Sequence, residues 1–570
     1  MILARQFMKP SELKEQRIGL ALSGGGFRAA IFHLGVIRRL EELGIMQKVD
    51  VISAVSGGSI IAAYYVCEME RRLRLVPVEE RTKREVRIRL FEEVAENFFN
   101  ALDHNLRSRA LIFTPFYHPW LFIKTLIKKL FRSTARSELI QREYDKWFYD
   151  GNTLDQLPST ASGKKQPETG NILGPRVLLN TTSLLSGERV TFSREPVSGV
   201  NEMSKVNKNV IPLSRVVGAS SGVPGLFPPT AIAGDMLVDG GVADNQGIES
   251  LIDDPVRCNI LLVSDASGQM EQLDSIGRSV MTVVSRVNSV LQFQVRNKLI
   301  DILVAWKNLP NEEREDRRFG FVHLFLNLKD RPNVPYRVPS EFIAAIGRIR
   351  TDLDQFSYIE REALMYHGYT LIDAQMRMYC QDKLSEFLIP MPAATTMCTP
   401  PLFQDAVLNT EKSREEILGD LRAGSQNVYL LRCANKHPET VIPILATWAV
   451  AALALLWRIL FVTPQILSWL RSTASDVIHG VIPNAVVAPL DTVLKRLGLI
   501  DLSTSISGLS GIAALLILAL LALYVVSYPA YWLVRRLAVI RDRKVYETIA
   551  GEEPSAHWTS KEQGVVRQKA

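Results

Sequence analysis

Two strand–glycine–helix passages near the N-terminus constrain this 570-residue chain more than anything else in it. In the first, the apolar run Ile18–Leu22 meets Ser23-Gly24-Gly25-Gly26 and passes into Phe27–Leu43, where Ile31, Leu34, Ile37 and Leu40 recur at three-residue spacing. In the second, Val49–Ala54 meets Val55-Ser56-Gly57-Gly58 and again passes into a helical pattern. Short unbroken apolar runs ended by glycine predict buried strands, and the three-residue recurrence predicts a helix, with Gly44 as its C-cap. Strand, helix and strand in this order form a βαβ unit, whose strands are parallel and whose crossover is right-handed. The expected fold class is therefore α/β, a three-layer sandwich with a mostly parallel central sheet.

The two turns carry chemistry as well as topology. Ser56 ends a predicted parallel strand and opens a helix, so it lies at the edge of the sheet where ligands bind. The helix N-terminus favours negative charge there, and Gly57 and Gly58 allow a tight turn with room beside it. Those features suit a nucleophilic serine on a strand-to-helix turn, and an ordinary N-cap serine is the plain alternative. Ser53 and Ser59 lack glycines close on their C-terminal side. Gly24-Gly25-Gly26 offers bare backbone N–H groups of the kind an oxyanion needs. The same loop also satisfies a dinucleotide fingerprint, Gly24-x-Gly26-x-x-Ala29, with Asp50 at a suitable distance although at the start of its strand. A Gly-Lys-Ser/Thr sequence is absent, which excludes a P-loop, and a serine turn has no place in a dinucleotide fold. Taken with Ser56, the loop reads as an oxyanion site.

A base is harder to find. None of the eight histidines stands in a strand-end turn, and His33 falls inside the first helix. Asp239 does have that context, following Leu237-Val238 and preceding Gly240-Gly241, with Asp235, Asp244 and Asp265 as rival carboxylates. A free carboxylate is a weak base for a hydroxyl, and burial strengthens it. An Asp-Gly turn without chemistry is the plain alternative.

These three motifs, in this order, resemble the patatin-like phospholipase family. Its oxyanion motif matches Gly24, Gly25, Gly26 and Arg28, its nucleophile turn matches Ser56 with Gly57 and Gly58, and its Asp-Gly-Gly motif matches Asp239, Gly240 and Gly241. The segment Ala219-Ser220…Pro224…Phe227-Pro228-Pro229 also resembles the family's approach to that aspartate. The resemblance covers about 17–265. It implies a Ser56–Asp239 dyad that cleaves fatty acyl esters of membrane lipids through an acyl-enzyme, with neither metal nor organic cofactor. Ala54 stands where the nucleophile motif has its first glycine, and Ala29 where many members have glycine. Both are small, so the turns survive. A nucleotide-binding membrane regulator using Gly24–Ala29 and a non-catalytic lipid-binding adaptor are the rival functions.

The remaining sequence suggests a membrane-anchored protein. Thr440–Trp457, continuing to residue 462 if Arg458 snorkels, and Gly508–Val534 are long and apolar enough to span a bilayer. Arg535, Arg536, Arg541, Arg543 and Lys544 crowd the end of the second, which places the C-terminal tail and the N-terminal domain in the cytosol. The expected layout is an acyl hydrolase domain over 10–400, with helical additions from 275. A connecting segment follows over 401–439, a two-helix membrane region over 440–534 and a basic tail over 535–570. The net charge of +7 is not arranged as a nucleic-acid stripe, and it fits an anionic membrane surface instead. The aromatic and basic stretch Ser108–Arg132 reads as a lipid-facing cap. Five scattered cysteines without a CxxC pair argue against a disulfide framework or zinc site. Val216–Pro229 reads as a loop and Ser340–Leu388 as one helical stretch, while 308–339 yields no clear element.

Overall fold

The computed structural model describes residues 17–109, 135–158, 174–194, 210–252, 258–267, 280–307, 317–329, 331, 338–388, 399–426, 429–461 and 527–554. The lipid-facing stretch beyond residue 109, the 159–173 loop and the apolar run up to residue 526 lie outside the described residues.

Eight strands form one sheet: β1 (Ile18–Leu22), β2 (Val49–Val55), β3 (Arg176–Ser183), β4 (Arg189–Phe192), β5 (Thr230–Ile232), β6 (Asp235–Asp239), β7 (Ile260–Asp265) and β8 (Arg318–His323). Their order is β5-β6-β3-β2-β1-β7-β8, with β4 also paired to β3. β8–β7–β1–β2–β3 are parallel neighbours, as the βαβ reading requires. The β3–β4, β3–β6 and β5–β6 pairs are antiparallel. The sheet is therefore mixed: four of its seven strand pairings are parallel and three, gathered at one edge, are antiparallel. The cause is local: β5 and β6 are joined by Ala233-Gly234, both at positive φ, the two-residue hairpin turn that matches strand twist.

Helix α1 (Gly26–Glu42) crosses from β1 to β2, and α2 (Gly57–Leu73) leaves β2. Nearly all of α1 is buried, because α3 (Arg84–Leu102) and the later helix Tyr358–Tyr379, which itself also packs on β8, both lie against it. Gly35 permits that packing: a Cβ there would sit 1.8 Å from the Met365 carbonyl oxygen. The charges this buries are paired, Arg39 with Asp373 at 2.8 Å and Glu41 with Arg87 at 2.7 Å. Further along, α4 (Leu213–Ser220) replaces part of the expected loop, and α5 (Val280–Lys307) packs Leu299 and Leu303 against the other sheet face. The expected helix over 340–388 is interrupted: Ser340–Gly347 ends, an irregular passage follows, and α6 (Tyr358–Tyr379) restarts at a capping box of Ser357 and Glu360.

The chain divides into two compact units. The first comprises residues 1–427 and resumes at Arg543; Ile417, Leu418, Leu421, Tyr546 and Ile549 all belong to its core. The folded unit thus runs beyond the boundary expected near residue 400. The second unit, Val428–Asp542, contains α7 (Tyr429–Lys436), α8 (Pro438–Phe461) and helical residues 527–542. Within it His437 Nε2 lies 2.8 Å from Asp542 Oδ1, and the Tyr429 and Tyr531 rings meet. Among the described residues, α8 is the one helix long and apolar enough to cross a membrane, and little of its apolar window, Pro438–Leu455, is buried in the protein.

Candidate active site

The carboxyl ends of β1 and β2 and the end of β6 bring the three sequence motifs together. Ser56 caps α2 at φ +51° and ψ −116°, a conformation that is strained for a residue with a side chain. Packing explains why glycines follow it. A Cβ on Gly57 would lie 2.1 Å from the Gly26 carbonyl oxygen, so the serine turn and the glycine loop rest backbone to backbone. The turn is held from behind by Ser220 at the end of α4. Its Oγ accepts the Ser56 N–H at 3.0 Å and the Ser59 hydroxyl at 2.8 Å, and donates to the Asn180 carbonyl at 2.6 Å. Asn180 Nδ2 in turn donates to Ser53 Oγ and the Ala54 carbonyl.

Asp239 ends β6 and is buried. Its carboxylate accepts the Gly241 N–H at 2.7 Å, and the Ser56 side chain stands near enough to favour its charged form. Burial pushes its pKa up to about 6, and those two groups offset only part of the rise. The rival carboxylates have other partners. Asp244 accepts the N–H groups of Gln246, Gly247 and Glu249. Burial raises Asp265, but Arg296 at 2.7 Å and Ser267 outweigh it and hold that carboxyl below its ordinary value. Asp235 accepts the Ser183 hydroxyl at the far end of β6.

The glycine loop divides by role. Gly25 at φ +138° and Gly26 at +59° adopt backbones that L side chains rarely take. Among the described residues, no acceptor takes the N–H of Gly25, Gly26 or Gly57. Gly24 differs from the expectation, because its N–H donates to the Asn245 carbonyl at 3.0 Å. Gly24 instead provides proximity: a Cβ there would be 3.2 Å from Ser56 Cβ. Arg28 supports the loop. Its guanidinium is buried and donates to the carbonyls of Ile349 at 2.6 Å and Ala266 at 3.1 Å, bracing the loop from behind. Burial lowers its pKa to about 10, with Asp265 opposing.

His33 is not a base for Ser56. It is fully buried, with Nε2 donating to the Ser23 carbonyl at 3.0 Å and Nδ1 accepting the Ser264 hydroxyl at 2.7 Å. Burial drives its pKa down to about 4 despite the Ser23 carbonyl and Asp265. The dinucleotide alternative also loses its support. Asp50 accepts the Ile18 N–H at 2.7 Å, at the opposite edge of the sheet from the glycine loop. The Phe27 N–H, which a pyrophosphate would need, donates to the Asp352 carbonyl at 2.9 Å. Among the described residues no three His, Cys, Asp or Glu side chains cluster to hold a metal ion.

Residues that sequence reasoning left without a role also converge here. Tyr144 is buried, hydrogen-bonds Ser221 at 3.2 Å and feels the Asp239 charge. Asn245 places its amide oxygen against both Gly24 and Gly241. Asp352 packs its peptide on Gly26. Only Ser220 had a visible signal, in the small-residue passage before Asp239.

Residues 20–252 match the family model for patatin-like phospholipases. A 72-residue stretch is 46% identical to the Saccharomyces cerevisiae protein named lysophospholipase NTE1, and one of equal length is 40% identical to its Kluyveromyces lactis namesake. Each stretch is 13% of this chain and only 4% of the relative, so the likeness is to a small part of much longer proteins. Among solved structures, human GIVD cytosolic phospholipase A2 in complex with a fluorophosphonate inhibitor overlaps with TM-score 0.37 and 14% identity, covering 68% of this chain and 61% of that one. VipD from Legionella pneumophila overlaps with TM-score 0.26 and 14% identity, covering 96% and 98%. Overlaps this loose add nothing to the sequence match.

Proposed function

We propose that this chain, which carries a patatin-like phospholipase domain over residues 20–252, is a serine hydrolase of fatty acyl esters in membrane lipids. The observation that supports this most is Ser56, held at positive φ at a helix N-terminus, beside a buried Asp239 whose pKa is raised to about 6. Ser56 Oγ attacks the acyl carbonyl carbon while Asp239 takes the hydroxyl proton. The tetrahedral oxyanion is held by the N–H groups of Gly25 and Gly26, joined by that of Gly57. The C–O bond to the alcohol then breaks, and Asp239 returns the proton to the departing alcohol. Water attacks the acyl-enzyme, again giving its proton to Asp239, and Ser56 leaves protonated as the fatty acid is released. No step needs a metal or organic cofactor.

The chain layout supports a bilayer as the place of substrate supply. α8 is apolar and largely unburied, and the chain resumes the first unit at Arg543 after the second. A chain that leaves and rejoins one folded unit must cross a bilayer an even number of times. With α8 embedded, both ends of the hydrolase unit lie on one side of the bilayer, and the basic residues Arg535, Arg536, Arg541, Arg543 and Lys544 favour the cytosolic side. The test is fatty acid release from lysophosphatidylcholine and phosphatidylcholine in vesicles carrying the full-length protein. Wild type should release fatty acid, and Ser56→Ala should reduce release to background. Equal release by both would refute the assignment.

A further inference from the structure

The interruption between Ser340–Gly347 and α6 is where the molecule shows more than the site itself requires. Its Asp352 carbonyl accepts the Phe27 N–H at 2.9 Å, and its peptide fills the space beside Gly26, where a Cβ would come within 2.7 Å of the Asp352 carbonyl oxygen. Gly26 in turn is the surface on which Gly57, the neighbour of Ser56, rests. A shift of the Asp352 peptide thus moves the donors of the oxyanion site.

Asp352 is fixed by a residue more than two hundred positions away. Arg107 Nη1 lies 2.7 Å from Asp352 Oδ2, Arg107 Nη2 lies 2.6 Å from Asp354 Oδ2, and the Arg107 N–H donates to the Leu353 carbonyl. Burial first, and then the charge of neighbouring Asp354, raise the cost of ionising Asp352. One planar guanidinium that spans both removes that repulsion and sets their spacing, which a point charge does less well. Asp352 Oδ1 meanwhile accepts the Leu353 N–H at 2.7 Å, while Oδ2 meets Arg107 as an ion pair without a hydrogen bond of its own. At the other end of the passage, Arg28 holds the Ile349 carbonyl.

We propose that Arg107 is a positioning residue for hydrolysis: by clasping Asp352 and Asp354 it fixes the Asp352 peptide, and through it the Gly25 and Gly26 donors beside Ser56. The inference rests on the hydrolase reading above. Its effect reaches Ser56 through the Asp352 carboxylate, the Asp352 peptide and then Gly26 and Gly57.

The test uses the full-length protein in detergent micelles with p-nitrophenyl butyrate, a soluble ester, and amide hydrogen exchange on the same samples. Arg107→Gln should lower kcat by about 30- to 100-fold, the scale of a sub-ångström to ångström misplacement, with KM within about twofold. Exchange should quicken in the peptide containing Phe27 and stay unchanged in β7 and α6. Arg107→Lys, which keeps the charge without the fork, should fall between. Adding Asp352→Asn to Arg107→Gln removes the unpaired carboxylate and should recover kcat by at least about fivefold. Unchanged exchange around Phe27, or exchange that quickens equally across β7 and α6, would overturn the positioning role. Failure of the hydrolase reading looks different: wild type itself releases no p-nitrophenol, and the exchange comparison still decides Arg107.

Discussion

Replacing Asp239 by asparagine should make the protein more stable and inactive at once. Asp239 is fully enclosed, and its pKa stands at about 6 against an ordinary 3.8. At ~1.36 kcal/mol per pH unit, that rise means the ionised side chain costs the folded state roughly 3 kcal/mol relative to the unfolded chain. The sign follows from proton counts. Between pH 3.8 and about 6 the folded protein holds the Asp239 proton more firmly than the unfolded chain does, so stability falls as pH rises through that window. The penalty is complete above about pH 6 and absent below about pH 4. An asparagine side chain is never charged, and its amide oxygen can still accept the Gly241 N–H, so the variant escapes the penalty. Thermal unfolding of the full-length protein in detergent at pH 7.5 and pH 4 is the assay. Asp239→Asn should melt several degrees higher at pH 7.5, with the gap closing at pH 4, while ester hydrolysis falls by about two to four orders of magnitude. A variant that melts lower than wild type at pH 7.5, or whose advantage persists at pH 4, would refute the reasoning about burial.

Three further outcomes follow from the same geometry. Wild-type kcat/KM should rise about tenfold per pH unit below about pH 6 and level off above it, because Asp239 must be ionised to accept the proton; a pH–rate profile on a soluble ester reads this. Ser220→Ala strips partners from the Ser56 N–H, the Ser59 hydroxyl and the Asn180 carbonyl, so it should cost ~1–3 kcal/mol in thermal stability and about tenfold in kcat. Leu453, exposed on α8, should tolerate no charge if that helix crosses a bilayer: Leu453→Arg should cost ~2.5–3.5 kcal/mol of insertion, read as protein lost from the alkaline-washed membrane fraction, whereas equal retention would mean that α8 is not embedded.

How much of this was legible in the residues depends on the range of the interactions involved. The βαβ core was plain because its signals are local: Ile18–Leu22 is an unbroken apolar run, and α1 begins where glycines end. The Ser56–Asp239 pairing is what the family resemblance implies, because no local signal links two residues so far apart along the chain. The antiparallel edge was not legible, since Ala233-Gly234 gives no strong hairpin signal and β5 has only three residues. The break before α6 was missed although its sign was present: Ser357 and Glu360 form a capping box, and the apolar pattern on either side masked it. That oversight concealed Asp352, and with it the support beneath Gly26. Gly24 falls within the oxyanion motif although its N–H is engaged, because a motif shows which residues gather, not which N–H groups are already taken.

The central claim is that Ser56 is an activated nucleophile, and a covalent adduct tests it most directly. The full-length protein should react with a fluorophosphonate probe to a single added mass, and peptide mass spectrometry should place that mass on Ser56. Ser56→Ala should gain none, and Asp239→Asn should react far more slowly. An adduct on another serine, such as Ser53 or Ser59, or equal labelling of wild type and Ser56→Ala, would contradict the account.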